Sequence, residues 1–175
     1  MQRPQRPSGF TLVELMVTIA VAAVIMTIAV PSFTHLRVSG ALTTQANSLT
    51  AGINLARSEA IRRNASVHFC RTATDSSSDC ANAVGDWNHW AVVASGDILR
   101  RGTLDTLGNR ITITSDLNQD RLRIGPDGMA RSGSSLLTDG YIQVKADGGT
   151  KEKVRCVRLG PGSRLSVERS EEDCS

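Results

Sequence analysis

Residues 10–30 read FTLVELMVTIAVAAVIMTIAV, and this stretch decides how the rest of the chain is organised. Its 21 residues carry one charge, that of Glu14. A helix needs about 20 apolar residues to cross a bilayer, so this stretch is long enough for one transmembrane span. It is longer than the apolar core of a secretory signal peptide, and no small-x-small cleavage site follows it. We therefore predict a retained membrane helix.

The remaining sequence has the composition of a small soluble domain. The whole chain has 175 residues, of which 40% are hydrophobic, 21% charged and 3% aromatic. This composition excludes collagen-like, low-complexity and wholly disordered proteins, and a single apolar stretch excludes a polytopic membrane protein. The net charge of +3 falls to +1 when residues 1–9 are set apart. A general basic surface for nucleic acids is therefore not expected.

The residues before the apolar stretch predict its orientation. Residues 1–9 contain Arg3 and Arg6 and no acidic residue. Positive charge next to a first membrane helix keeps that end in the cytoplasm. The domain that follows residue 30 is then expected on the other side of the membrane.

Glu14 is unusual for a membrane helix, because an ionised carboxylate in an apolar segment costs several kcal/mol unless it is paired. One explanation is a side chain that reaches the membrane interface. The surrounding residues 8–15, SGFTLVEL, closely resemble the class III signal of type IV prepilins. The resemblance implies that a prepilin peptidase cuts after Gly9 and N-methylates Phe10. It also implies that Glu14 pairs with a free N-terminal amine during assembly, and a carboxylate and an ammonium can offset each other's desolvation.

Beyond the apolar stretch, the sequence predicts that a helix continues with one apolar face. Pro31 lacks a backbone donor, so we expect it to end or kink the first segment. Glu59 can pair with Arg63 four residues later, and Asn64 is the expected stop. The combined helix would have about 55 residues and a length of about 80 Å. Apolar residues at spacings of four and three mark the buried face: Leu42, Ala46, Leu49, Ile53, Ala56 and Ala60.

From residue 65 onward, short β-prone runs alternate with turn residues, which is typical of an antiparallel sheet packed on a helix. These runs predict an α+β fold with a long N-terminal helix packed on an antiparallel β domain, and the resemblance to type IV prepilins implies that this fold is type IV pilin-like. The predicted parts are a leader (1–9), a transmembrane and assembly helix (10–31), an amphipathic helical half (32–64) and a periplasmic β domain (65–175). The predicted strands are Val67–Arg71, Trp90–Ala94, Ile111–Ser115, Leu122–Ile124, Tyr141–Lys145, Val154–Leu159 and Arg164–Glu168.

The four cysteines all follow the membrane segment. An even number of cysteines beyond such a segment favours an oxidising compartment and two disulfides over reduced buried thiols. Three pairings are open, and loop closure favours the local one, Cys70 with Cys80 and Cys156 with Cys174. No spacing of cysteine and histidine indicates a zinc site.

Three further segments resemble the GspH/FimT family of minor pilins and pseudopilins. They are residues 55–64 (LARSEAIRRN), residues 85–90 (GDWNHW, with His89 where the family has glycine) and residues 124–128 (IGPDG). The resemblance implies a single-pass inner-membrane protein that other major and minor pilins and an inner-membrane assembly platform build into a fibre. It favours a priming or tip subunit of a type IV pilus. A pseudopilin of a type II secretion system is the alternative.

The sequence indicates no catalytic site, metal or cofactor. The three histidines, His35, His68 and His89, are scattered, and no nucleotide-binding or hydrolase motif is present. Residues 116–120 (DLNQD) resemble the start of a calcium loop, but Arg121 stands where an EF-hand needs glycine. We expect a polar turn there and a protein that is not an enzyme.

A basic segment near the C-terminus is the one candidate for nucleic-acid binding. Residues 151–169 carry six basic and two acidic side chains, a net charge of +4. Arginines at strand spacing can present one positive face to phosphates. FimT-like proteins of transformable bacteria bind DNA through a Gly-Arg-x-Arg motif on this tail, whereas residues 162–166 read GSRLS. DNA is the less favoured partner, and a solvated strand edge is the preferred interpretation. The candidate residues are Arg155, Arg158, Arg164 and Arg169.

Overall fold

The structure, a computed structural model, describes residues 10–147 and 153–175 and leaves the side chains of residues 28–35 undescribed. The predicted leader and its cleavage position, Gly9, lie outside the described residues. The chain divides into two compact units, residues 1–37 and residues 38–175. The first unit holds the start of one long helix, and the second holds the end of that helix and all the strands.

The helix, α1, extends over Leu12–Arg63 and has 52 residues. Its end is a Schellman motif, in which the N–H groups of Asn64 and Ala65 donate to the carbonyls of Ile61 and Ala60. Asn64 adopts a φ of 50°, a conformation that asparagine accepts more readily than most residues. The predicted stop at Asn64 is therefore confirmed.

The helix continues through position 31, so of the two effects expected of Pro31 it does not end the helix, and a kink stays a prediction. In the described part of the chain, no helical stretch is both long and apolar enough to cross a membrane. The predicted span at residues 10–31 includes undescribed side chains and stays a prediction.

Among the residues described, ten strands follow the helix and form two sheets in which all neighbouring strands are antiparallel. The first sheet has the order β3-β2-β1-β5-β6-β7, and the second has the order β10-β9-β8-β4. Two short 3₁₀ turns precede β5 and β10. The strands are β1 (Val67–Thr72), β2 (His89–Ala94), β3 (Asp97–Thr103), β4 (Ile111–Ser115), β5 (Arg121–Ile124), β6 (Ala130–Ser132), β7 (Ser135–Leu136), β8 (Tyr141–Ala146), β9 (Val154–Gly160) and β10 (Arg164–Ser170).

One hydrophobic core joins the second half of α1 to both sheets. The predicted helical stripe is confirmed, because all six of its residues are fully buried in this core. Leu122 and Ile124 of β5 and Val67 and Phe69 of β1 face the same core. Their neighbours in sequence consequently point to the opposite face of the first sheet, since side chains alternate along a strand.

All seven predicted strands are present, with ends that differ by a few residues, but three strands were not predicted. β3 (DILRRGT) lies at the edge of the first sheet, and most of its side chains are exposed. Its sequence therefore lacks the alternation of apolar and polar residues by which a half-buried strand is recognised. β6 and β7 form a hairpin of three and two residues. Strands this short carry too few residues for a period of two to be recognised.

Candidate functional site: the N-terminal helix and the surfaces of the β domain

The start of α1 is a capped helix terminus. Thr11 is the N-cap, and its Oγ1 accepts a hydrogen bond of 3.2 Å from the N–H of Glu14. Glu14 thus occupies the third helical position, where a Thr-x-x-Glu sequence forms a capping box and a carboxylate interacts favourably with the helix dipole. Glu14 and Phe10 are both exposed, and Phe10 keeps 82% of its surface accessible.

The apolar side chains of the first unit are exposed on all sides of the helix. Successive positions turn by about 100°, so residues 12–26 cover the whole circumference. A helix that is apolar all round requires an apolar environment on every side. The large exposed apolar residues are Phe10, which precedes the helix, and, within it, Leu12, Val13, Leu15, Met16, Val17, Ile19, Val21, Val24, Ile25 and Met26. The side chain of Pro31 lies outside the described residues.

Residues 55–64 of α1, the helical segment that resembles the GspH/FimT family, fix the helix to a turn of the β domain. Arg57 donates a hydrogen bond to the carbonyl of Ser163. The buried Ser163 Oγ accepts a 2.6 Å hydrogen bond from the N–H of Ala130. On the exposed side of the same segment, the predicted pair forms, with 2.8 Å between Arg63 Nε and Glu59 Oε2. Hydrogen bonds from Arg62 and Arg63 lower the pKa of Glu59.

The tryptophan-containing segment, residues 85–90, contributes to the core. Trp87 is fully buried and stacks on Phe69 with 5.6 Å between ring centroids. Trp90 lies against the same ring at 5.3 Å. The N–H of Trp87 donates to Ile113 O at 2.9 Å and so connects this segment to β4 of the second sheet. The resemblance in this segment therefore corresponds to the packing of two tryptophans in the core.

The IGPDG segment forms a tight turn against α1. Gly128 has a φ of 73°, and a Cβ at this position would lie 3.1 Å from Ile61 Cδ1. Asp127 closes the turn by accepting hydrogen bonds from Arg131 and from the N–H of Met129. These bonds lower the pKa of Asp127 to about 2.

A buried ionic cluster centres on Asp120, which the sequence placed in a polar turn. Asp120 is 1% exposed. Its carboxylate accepts from Arg71 Nε at 3.1 Å, from the N–H of Gly85 at 2.8 Å and from Ser115 Oγ at 2.6 Å. The described residues contain no group of His, Cys, Asp or Glu that could hold a metal ion. The sequence DLNQD indicated only a polar turn here. Its last residue, Asp120, instead forms a buried ion pair with Arg71.

Both predicted disulfides are present. Cys70 pairs with Cys80 and Cys156 pairs with Cys174, with Cα–Cα distances of 5.6 and 5.8 Å. Next to the second bond, Gln143 Oε1 accepts from the N–H of Cys174 at 2.7 Å. A 2.7 Å ion pair from Lys145 to Asp173 adds a further contact and lowers the pKa of Asp173. The C-terminus is therefore fixed on β8 and β9.

The four candidate DNA-binding arginines do not share one face. Arg155 is 2% exposed and donates to Ser39 Oγ at 3.3 Å, while Arg169 lies opposite it on β10. Arg158 points to the other face and forms ion pairs with Asp139 and Glu168. Arg164 is exposed on that second face. Positions 155 and 158 differ by an odd number, so a strand must place their side chains on opposite faces. Two other charged residues of the basic segment, Lys151 and Glu152, lie outside the described residues.

Comparison with known proteins identifies two family models. One, described as type II transport protein GspH, matches residues 45–163. The other, the prokaryotic N-terminal methylation motif, matches residues 5–30. No curated protein gives a significant sequence match.

Two solved structures share the fold, and both are crystal structures of the type IV minor pilin FimU of Pseudomonas aeruginosa. The first has a TM-score of 0.52 and 20% identity over 75% of this chain and 95% of the FimU chain. The second has a TM-score of 0.53 and 19% identity over 75% and 90% of the two chains. The α+β pilin fold expected from the sequence is therefore confirmed. Because the GspH model covers most of the chain and the methylation motif precedes it, the chain belongs to the GspH family of type IV minor pilins and pseudopilins.

Proposed function

We propose that the chain is a minor pilin that prepilin peptidase cleaves after Gly9 and N-methylates at Phe10, and that is then built into a type IV pilus as a priming or tip subunit. The observation that carries this proposal is the exposed, all-round apolar helix that begins at Leu12, three positions after Gly9. Lipid can cover this helix before assembly, and the helices of other pilins can cover it in the fibre. No catalytic step is part of the function.

Glu14 supplies the specific contact in this mechanism. Cleavage after Gly9 leaves a new amine on Phe10, and methylation keeps that amine basic. The exposed carboxylate of Glu14 can pair with the amine of a neighbouring subunit when both leave water. An unpaired charge among apolar helices is costly, so this pairing favours one axial position of the entering subunit over others.

The location proposed is a single pass through the inner membrane with the β domain in the periplasm. The two disulfides support this location, since disulfides persist in the periplasm and are rare in the cytosol. Arg3 and Arg6 support a cytoplasmic N-terminus. The inner-membrane assembly platform would then extract the subunit from the bilayer.

The intact mass of the protein extracted from membranes tests the processing step. We expect a chain that begins at Phe10 and carries one additional methyl group. A Gly9→Leu variant, which places a bulky side chain at the cleavage position, should keep the leader and is the matched control. A wild-type chain that retains residues 1–9 contradicts the proposal.

A pseudopilin of a type II secretion system is the second candidate, and the description of the matching family model favours it. The two functions differ in where the processed chain accumulates. Sheared surface fibres should contain the chain if it is a pilin. Deletion should block protein secretion and leave pilus number unchanged if it is a pseudopilin.

A further inference from the structure

The face of the first sheet that points away from α1 carries a basic groove. His68 on β1 and Arg121 and Arg123 on β5 lie on this face, because their neighbours in sequence face the core. The groove has a volume of about 180 Å³. We call it the Arg121–Arg123 groove, and its lining residues are His68, Asn118, Gln119, Arg121, Arg123 and Gly133.

The strand register brings the cations of this groove together. His68 lies directly opposite Arg123, and Arg121 is two residues away on the same side of β5. Two residues along a strand span about 7 Å, so the two guanidinium groups are neighbours on one face. On the far side of Arg123 lies Arg131, whose charge is already paired with Asp127 at 2.7 Å.

No acidic side chain balances Arg121 and Arg123 within the part of the chain that the structure describes. Three buried nitrogens of the groove also have no hydrogen-bond partner among the described residues: Nε of Arg121, Nε of Arg123 and Nδ1 of His68. Buried polar groups of folded proteins are almost always hydrogen-bonded. The adjacent acid, Asp120, points to the other side of the strand and is used by Arg71.

We propose that the Arg121–Arg123 groove receives an aspartate or glutamate side chain of a neighbouring subunit in the fibre. A carboxylate accepts charge-assisted hydrogen bonds from two guanidinium groups, which are among the strongest hydrogen bonds in proteins. It would also supply the negative charge that Arg121 and Arg123 lack among the described residues. This inference rests on the proposed function, since it requires an assembled fibre.

The size and composition of the groove favour a protein carboxylate over other anions. Pockets for small molecules usually have volumes of about 300 to 1,000 Å³, larger than this groove, whereas one acidic side chain is small enough to enter it. Duplex DNA requires a longer array of phosphate contacts than two arginines provide. Single-stranded nucleic acid requires exposed aromatic rings for stacking, and the groove contains none.

The first test compares fibre incorporation of the full chain with that of an Arg121→Gln/Arg123→Gln variant. We expect the variant to reach the membrane and to be processed normally, but to appear in sheared fibres at about one tenth of the wild-type amount or less. The matched control is Arg100→Gln/Arg110→Gln, which removes two exposed arginines outside the groove and should incorporate normally. Thermal unfolding of both variants verifies folding, and Arg121→Lys/Arg123→Lys, which keeps the charge, should recover most of the incorporation.

The second test identifies what enters the groove. A photoreactive benzophenone side chain in place of Gln119, activated in assembled fibres, should couple to a pilin peptide that contains an acidic residue. Replacing that acid by lysine should abolish incorporation of the wild-type chain and restore incorporation of Arg123→Glu. Coupling to DNA or to lipid, or to a peptide without an acidic residue, overturns the inference.

The two proposals fail in different ways. A wild-type chain that never enters fibres overturns the proposed function and the inference with it. A wild-type chain that enters fibres together with an unchanged Arg121→Gln/Arg123→Gln variant overturns the inference alone. Retardation of a duplex DNA oligonucleotide by the full chain in detergent, lost in that variant, assigns the groove to nucleic acid instead.

Discussion

At the scale of single residues, Asp120 and Arg71 form a buried ion pair within the β domain. Asp120 is almost fully buried and Arg71 is mostly buried, with side-chain exposures of 1% and 13%. Hydrogen bonds from Gly85 and Ser115 add to their ion pair, so the carboxylate accepts three hydrogen bonds. A buried ion pair contributes little compared with an apolar pair of the same size, but removing one partner leaves the other charge uncompensated.

Asp120→Ala should therefore destabilise the protein by about 3 kcal/mol or more. Asp120→Asn keeps the shape and part of the hydrogen bonding, so its loss should be smaller. Urea unfolding of the full chain in detergent, followed by the fluorescence of the buried Trp87 and Trp90, measures both. Asp97→Asn, which alters an exposed acid on the edge strand β3, is the control and should change little. Equal losses of stability in Asp120→Ala and in the control would contradict the role assigned to Asp120.

His68 links stability to pH in a defined direction. Burial, together with the positive charges of Arg121 and Arg123, lowers the pKa of His68 below its ordinary value of 6.5. The unfolded chain then binds a proton at this position more readily than the folded chain. The stability contributed by neutral His68 is complete above pH 6.5 and is lost as the pH falls from 6.5 through the lowered folded-state value.

An NMR titration of the His68 ring should give a midpoint below 6.5. Arg121→Gln should raise this midpoint because it removes one of the two neighbouring cations, whereas Arg110→Gln should leave it unchanged. A His68→Gln variant assigns the signals among the three histidines. A wild-type midpoint at or above 6.5 would contradict the charge distribution described for the groove.

At the scale of helices and strands, Gly102 on the edge strand β3 permits the packing of Trp90. A Cβ at position 102 would lie 2.2 Å from Trp90 Cε2, which is closer than any real contact. Trp90 is held against Phe69, so its ring cannot move away without disturbing the core. The edge strand and the aromatic cluster consequently depend on each other.

Gly102→Ala should destabilise the β domain by about 1–3 kcal/mol, the usual cost of overpacking. Gly40→Ala is the matched control, because this helical glycine has open space around it. The control should stabilise the chain by about 0.5–1 kcal/mol, since alanine restricts the unfolded chain and favours helix. If the unfolding midpoints of Gly102→Ala and Gly40→Ala shift in the same direction, this account of Gly102 is wrong.

The elements also show which parts of the structure the sequence can and cannot predict. The stripe that includes Leu42 and Ile53 was predictable, because helical spacing alone decides which residues share a face. The strand β4 was predicted with its observed ends, since ITITS is a β-branched alternating run. By contrast, Asp120 binds Arg71 across 49 positions, and no local pattern signals such a contact. The Arg121–Arg123 groove was missed for a similar reason, because His68 joins it only through the pairing of β1 with β5.

At the scale of the whole molecule, the described residues combine an apolar helix start with exposed side chains and a β domain with a buried core. The β domain is held by two disulfides and by one core shared between helix and sheets. The contacts among the described residues therefore do not explain why this helix start is apolar on every side. Its explanation requires an environment supplied by lipid or by other subunits.

Glu14 allows the pairing role to be separated from a purely local role at the start of this helix. The structure gives Glu14 a capping-box position, in which glutamine can replace glutamate. Glu14→Gln thus keeps the helix start and removes the charge, whereas Thr11→Val removes the N-cap and keeps the charge.

If Glu14 acts by pairing with the amine of a neighbour, Glu14→Gln and Glu14→Ala should both abolish incorporation into sheared fibres at unchanged membrane levels. Thr11→Val and the exposed control Glu172→Gln should then incorporate normally. Loss of incorporation in Thr11→Val with normal incorporation of Glu14→Gln would show instead that the helix start, and not the charge, is what assembly requires.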